Sequence, residues 1–204
     1  MTRIKLCGLK RVCDIEYANE LLPDYIGFVF WRKSKRFVDF ARAAELKGLL
    51  DKRIKAVGVF VDERLETVAE LLKGGVIDIA QLHGSEDDDY ILRLKSLTDR
   101  PIFKAFTVKS IEDVEAAEQS LADEVLLDCG RGEGEAFDWS LAEKLKRRYF
   151  LAGGLDCGNI REAIERLSPW GVDVSSGIET AGLKDYNKMK EFMSIINACI
   201  GKED

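Results

Sequence analysis

Histidine is almost missing from this chain: its 204 residues hold one, His83. Metal sites built from several imidazoles are thereby excluded, and a Ser-His-Asp arrangement would have to use this residue. Proton chemistry falls mainly to carboxylates, thiols and amines. The five cysteines are odd in number and widely spaced, with no Cys-x-x-Cys. That argues against a disulfide framework or structural zinc and for a reducing, cytoplasmic setting. No apolar run reaches the ~18 residues of a membrane span. The segment after Met1 is strand-like at once and leaves no room for a signal peptide. Basic excess is also missing. Lys plus Arg number 31 against 37 Asp plus Glu, a formal charge of -6, so no face for nucleic acid is expected. An anionic ligand would therefore need a local trap. Proline occurs three times, at Pro23, Pro101 and Pro169, each between elements and none inside a helical stretch, where it would break the helix.

What the sequence does contain is alternation. Short apolar, β-branched segments begin at Ile4 to Cys7, Tyr25 to Phe30, Ile54 to Val61 and Val76 to Leu82. They continue at Ile102 to Phe106, Glu124 to Asp128, Tyr149 to Ala152 and Val172 to Val174. Amphipathic stretches lie between them, such as Glu63 to Lys73 and Asp87 to Leu97, where Ile91, Leu94 and Leu97 mark one face. Ser110 followed by Asp113 resembles a capping box. No linker or low-complexity tract divides the chain. The first strand ends Cys7-Gly8-Leu9-Lys10, which is not the glycine turn of a dinucleotide fold. Eight strand-helix units predict α/β architecture, a single (β/α)8 TIM barrel over residues 1–204, with chemistry at the C-terminal strand ends.

Strand parity assigns faces. If Ile4 and Leu6 meet the helices, Lys5 and Cys7 point into the barrel. The same rule turns Leu126 and Asp128 inward on the sixth strand and Gly171, Asp173 and Ser175 on the eighth. Ile79, Gln81 and His83 share a face of the fourth. Convergent polar groups at a barrel mouth are what a small-molecule site looks like. Each also has a plainer reading. Cys7 could be small apolar filling, Asp128 a helix cap, and His83 a satisfied core residue. Lys5 and Lys104 read as interior charges paired with carboxylates. Cys13, Cys129, Cys157 and Cys199 carry no functional reading.

Two glycine-bearing loops follow the last two barrel strands, Leu151-Ala152-Gly153-Gly154-Leu155 and Val174-Ser175-Ser176-Gly177-Ile178-Glu179. Glycine lets backbone N–H groups approach a phosphate, a short helix N-terminus adds positive dipole, and this is where many barrels hold one. That is the local trap. Arg36, in Ser34-Lys35-Arg36-Phe37 after the second strand, could clamp a carboxylate or be an ordinary surface residue.

Taken in order, these segments resemble the phosphoribosylanthranilate isomerase family of tryptophan biosynthesis. The resemblance rests on Lys5-Leu6-Cys7-Gly8, Gly27-Phe28-Val29-Phe30, Ser34-Lys35-Arg36, Val57-Gly58-Val59-Phe60-Val61 and Gln81-Leu82-His83-Gly84. It continues through Leu126-Leu127-Asp128, Phe137-Asp138-Trp139, both glycine loops and Gly182-Leu183-Lys184-Asp185. It implies an Amadori rearrangement of a phosphoribosylated anthranilate without cofactor or metal. Asp128 would be the general acid and Cys7 the general base. Arg36 would hold the anthranilate carboxylate, and Gly153, Gly154, Ser175, Ser176 and Gly177 the phosphate, with His83 and Asp173 as accessory residues. The expected partner is that small substrate, with no nucleic acid and no membrane, in a monomer or weak homodimer. The chain departs from the family pattern at Cys129 and at the Gly130 to Glu135 loop, whose two glutamates would oppose an anionic ligand.

Three rivals remain at this stage. A histidine-pathway aminoaldose isomerase would use two aspartates where this chain ends its first strand in Cys7. A metal-dependent epimerase would need more histidine. A barrel that only binds sugar phosphates would lack Cys7 or Asp128.

Overall fold

The computed structural model describes residues 2–128 and 139–201. Eight parallel strands close into a barrel in sequence order, with the last pairing back onto the first. They are β1 (Arg3–Cys7), β2 (Tyr25–Val29), β3 (Lys55–Phe60), β4 (Ile79–Leu82), β5 (Ile102–Thr107), β6 (Glu124–Asp128), β7 (Tyr149–Ala152) and β8 (Gly171–Val174). The helices are α1 (Val12–Leu21), α2 (Phe40–Leu49), α3 (Leu65–Lys73), α4 (Asp88–Leu97), α5 (Ile111–Gln119), α6 (Ile160–Leu167) and α7 (Tyr186–Cys199). Their starts follow the side chains: Arg42 N donates to Asp39, Tyr90 N to Asp87, and Asn187 and Lys188 N to Asp185. Each aspartate satisfies orphan donors of a first turn. Ser110 and Asp113 form the expected capping box on α5.

The alternation of side chains divides the core in two. Ile4, Leu6, Phe28, Val125, Val172 and Val174 lie in the shell between strands and helices. Val57, Ile79, Phe103, Ala105, Leu126 and Phe150 fill the lumen, with Tyr25 and Trp170 packed beneath. Tyr25, Phe103 and Phe150 meet with ring centroids 5.4–6.0 Å apart. A Cβ at Gly171 would collide with the Phe150 ring, so glycine there makes room for the plug.

The structure revises several boundaries. Strand β4 begins at Ile79 rather than Val76. Val76 N instead donates to Leu71 O behind Gly75, so the apolar run closes α3 before the strand begins. Between β6 and β7 the described residues hold only a 3-10 turn, Ala142–Lys144, where an eighth barrel helix was expected. A small hairpin, β9 (Glu179–Thr180) with β10 (Leu183–Lys184), precedes α7. Cys129 and the Gly130 to Glu135 loop lie outside the described residues. No described helix is long and apolar enough to cross a membrane.

Candidate active site

A cavity of about 390 Å³ opens at the C-terminal ends of the strands. Cys7, Arg36, His83, Asp128, Gly153, Gly154, Asp173, Ser175 and Ser176 all line it, with Gln81, Trp31 and an apolar wall of Val29, Val59, Val61, Ala105 and Leu126 among the rest. Parity put the inward residues there. Of the ten candidate residues, only Gly177 is set back from the lining. It forms a bridge with Asp156, and a Cβ on it would run into Leu155 O. Its lack of a side chain lets the two glycine loops approach closely.

Cys7 ends β1. Its thiol is buried in space left by Gly27, where a Cβ would come within 2.6 Å of Sγ. Its carbonyl accepts from Ser175 Oγ at 3.1 Å. Below it Lys5, fully buried, donates to Asp173 Oδ2 at 2.6 Å. Burial pushes the Cys7 thiol up from its ordinary value, while Lys5 and Lys184 work in the opposite direction. Burial also raises the Asp173 carboxyl, opposed by Lys5 and reinforced by Asp128. Burial would lower Lys5, but Asp173 and Cys7 outweigh it and keep the ammonium charged. Removing either member of such a buried pair leaves an uncompensated charge.

Across the mouth, His83 Nε2 stands 3.1 Å from Asp128 Oδ2. Asp128 therefore lies near both an imidazole and a second carboxylate, Asp173, whose carboxyl its charge helps to raise. Among the described residues, Gln81 Oε1 and Asp173 Oδ1 are buried acceptors without a hydrogen-bond partner. Buried acceptors of this kind are suited to hydroxyl donors.

On the other side, Gly153 (φ +85°) and Gly154 (φ +66°) are both left-handed, a conformation glycine adopts freely. Successive backbone N–H groups turned this way make an anion-binding concavity. The eighth strand leads into the β9–β10 hairpin and not into a helix, so no helix N-terminus starts at the Ser175–Ser176 loop. The positive charge there comes from Lys184, whose Nζ donates to Ser175 O at 2.8 Å and to Glu179 Oε1 at 2.7 Å. Arg36 holds the same carboxylate in a two-pronged grip, Nε to Oε1 at 2.6 Å and Nη2 to Oε2 at 2.8 Å. Burial raises Glu179, but the hydrogen bonds from Arg36 and Lys184 overcome it and hold its carboxyl down at about 2.

Sequence reasoning left three participants without a role: Gln81, Glu179 and Lys184. Gln81 was visible as an inward residue of β4. Glu179 and Lys184 could have been found only from the hairpin, whose turn is Ala181-Gly182 and lacks the Asn-Gly or Asp-Gly signal.

Fold and cavity together define a class, a (β/α)8 barrel with a cavity of convergent polar groups against an apolar wall, where barrel enzymes keep their active sites. The family model described as N-(5'phosphoribosyl)anthranilate (PRA) isomerase matches residues 4–195. The N-(5'-phosphoribosyl)anthranilate isomerase of Endomicrobium trichonymphae is 43% identical over 203 residues, covering 97% of this chain and 100% of its own length. The crystal structure of phosphoribosyl anthranilate isomerase from Thermotoga maritima superposes with a TM-score of 0.88 at 33% identity, covering 98% of this chain and 100% of that one. A structure of such an isomerase in complex with reduced 1-(o-carboxyphenylamino)-1-deoxyribulose 5-phosphate gives 0.86 at 33% identity over 97% of this chain and 100% of that one. The chain belongs to the N-(5'-phosphoribosyl)anthranilate isomerase family.

Proposed function

We propose that this chain isomerises N-(5-phosphoribosyl)anthranilate to 1-(o-carboxyphenylamino)-1-deoxyribulose 5-phosphate in tryptophan biosynthesis, with Asp128 as general acid and Cys7 as general base. The observation that carries this reading is that both residues line one cavity beside the paired glycine loops. They come from β1 and β6, three strands apart around the ring, so acid and base can address different sides of one sugar.

The chemistry fits these groups. Asp128 gives its proton to the ribose ring oxygen as the C1–O bond breaks, and the nitrogen lone pair forms an iminium. The iminium acidifies the neighbouring C2–H. Cys7 thiolate removes that proton, the electron pair returns through C1 to nitrogen, and the resulting enol becomes the ketone. Positioned acids and bases of this kind contribute roughly 10²–10⁴-fold each. His83, whose Nε2 stands 3.1 Å from Asp128 Oδ2, orients that carboxyl. The ribose hydroxyls are natural donors for Asp173 Oδ1 and Gln81 Oε1. The phosphate belongs on the backbone of Gly153, Gly154, Ser175 and Ser176, with Gly177 holding those loops together. The anthranilate carboxylate belongs on Arg36. The nitrogen of the substrate serves as electron sink, so the reading assigns no cofactor and no metal. It treats residues 1–204 as one barrel in the cytoplasm, in keeping with the free thiols at Cys7, Cys13, Cys157 and Cys199.

The test follows loss of the substrate's anthranilate fluorescence with purified protein and a metal chelator present. Turnover that Cys7→Ser and Asp128→Asn each lower by about 10²–10⁴-fold, with KM little changed, supports the assignment. Wild-type turnover in either variant overturns the role of that residue.

A further inference from the structure

Glu179 poses a puzzle, because it sets a carboxylate directly against Arg36, which lines a cavity that must receive a carboxylate and a phosphate. Its neighbours answer it. Arg36 and Lys184 both grip it, so the cluster carries two cations against one anion. Each partner is further fixed. Lys184 also donates to Ser175 O, and Lys188 Nζ donates to Glu179 O at 2.7 Å. The Arg36 stem crosses Gly8, where a Cβ would collide with Arg36 Cδ and lie 3.3 Å from Arg36 Cβ. Arg36 is thus led over a glycine into a carboxylate from 143 residues away.

We infer that Glu179 is a positioning residue that locks the Arg36 guanidinium so its remaining edge faces the cavity, fixing selectivity for a ligand bearing a carboxylate. Nε and one N–H of Nη2 are consumed by Glu179. Nη1 and the second N–H of Nη2 form the parallel pair that a carboxylate takes from arginine. Without Glu179 the long stem is free to sample other rotamers, and binding must pay for ordering it. Because Lys184 joins Glu179 to Ser175, the β9–β10 hairpin ties the carboxylate end of the site to the phosphate end.

The inference rests on Arg36 being the carboxylate's cation, and the experiment separates the two. Two probes are titrated by calorimetry: reduced 1-(o-carboxyphenylamino)-1-deoxyribulose 5-phosphate, and its counterpart lacking the ring carboxyl. The readout is the ratio of their Kd values, which cancels effects common to both, including any change in phosphate binding. The wild type should prefer the carboxylate by about 10- to 100-fold, the scale of a charge-assisted arginine contact. Arg36→Ala should bring the ratio to about one. Glu179→Gln should lower the ratio several-fold while the carboxyl-free probe binds within about threefold of wild type. Should that variant fold poorly, Glu179→Asp, which pulls the anchor back by one methylene, is read in the same way. A wild-type ratio in the Glu179 variants, or equal weakening of both probes, overturns the positioning role. A wild-type ratio in Arg36→Ala overturns instead the assignment of Arg36.

Discussion

A single methyl group tests whether the two glycine loops act as one cradle. In Gly177→Ala the new Cβ would run into Leu155 O and sit 2.8 Å from both Cα and Cβ of Asp156, against the 3.4–4 Å of ordinary contact. The obstructing oxygen and Cα are main chain, so no rotamer relieves them, and the loops must part by at least about 0.6 Å at Asp156. Overpacking of this kind costs about 1–3 kcal/mol. For a chain of this size that is roughly 2–12 °C in Tm. Gly154→Ala is the control: its φ of +66° makes alanine strained, but no atom lies within 4 Å of the added Cβ. That variant isolates backbone strain of roughly 1–2 kcal/mol without separating the loops. Urea unfolding gives the stability of both variants, and competitive inhibition by inorganic phosphate reports on the cradle. Gly177→Ala should weaken phosphate inhibition about tenfold or more, as hydrogen bonds to a charged ligand lose alignment. Unchanged phosphate inhibition with full stability would refute the idea that Gly177 holds the loops together.

Other expectations follow from the charged groups. Glu179 has a folded value of about 2 against an ordinary 4.5, so its contribution is complete above about pH 5 and disappears as pH falls towards 2. After allowance for solvent screening that is about 2 kcal/mol. Urea unfolding at pH 5 and pH 2.5 should show Glu179→Gln losing less stability on acidification than the wild type; equal losses would contradict the cluster. Burial raises the Cys7 thiol, so its alkylation by iodoacetamide, followed by mass spectrometry, should have its midpoint above the ordinary thiol value. A midpoint below that value would mean that Lys5 and Lys184 prevail over burial. His83→Ala should lower kcat by about tenfold or less and KM little, since it orients Asp128 without exchanging the substrate's proton; a loss as large as that of Asp128→Asn would make His83 a direct participant.

The barrel was legible because strand period is so regular. Two-residue alternation alone turned Lys5, Cys7, Gln81, His83, Asp128, Asp173 and Ser175 to one side, and all of these except the buried Lys5 line the cavity. Segment ends were less legible where apolar residues serve a loop. Val76 and Ile77 look like strand but close α3. The Arg36–Glu179–Lys184 cluster was hidden for a different reason. Its members are joined by side-chain geometry across 143 residues, and no local periodicity records that. The role of Gly177 was hidden in the same way, since a glycine that cradles an anion and one that admits a neighbouring backbone read alike in sequence.

The three rings packed edge-on and tilted under the cavity make the barrel a cup rather than a tube. Among the described residues the lumen below the cavity is filled, so a guest would come and go through the C-terminal mouth. Trimming Phe150 to a smaller residue would leave a hollow in that floor and dig the cup deeper.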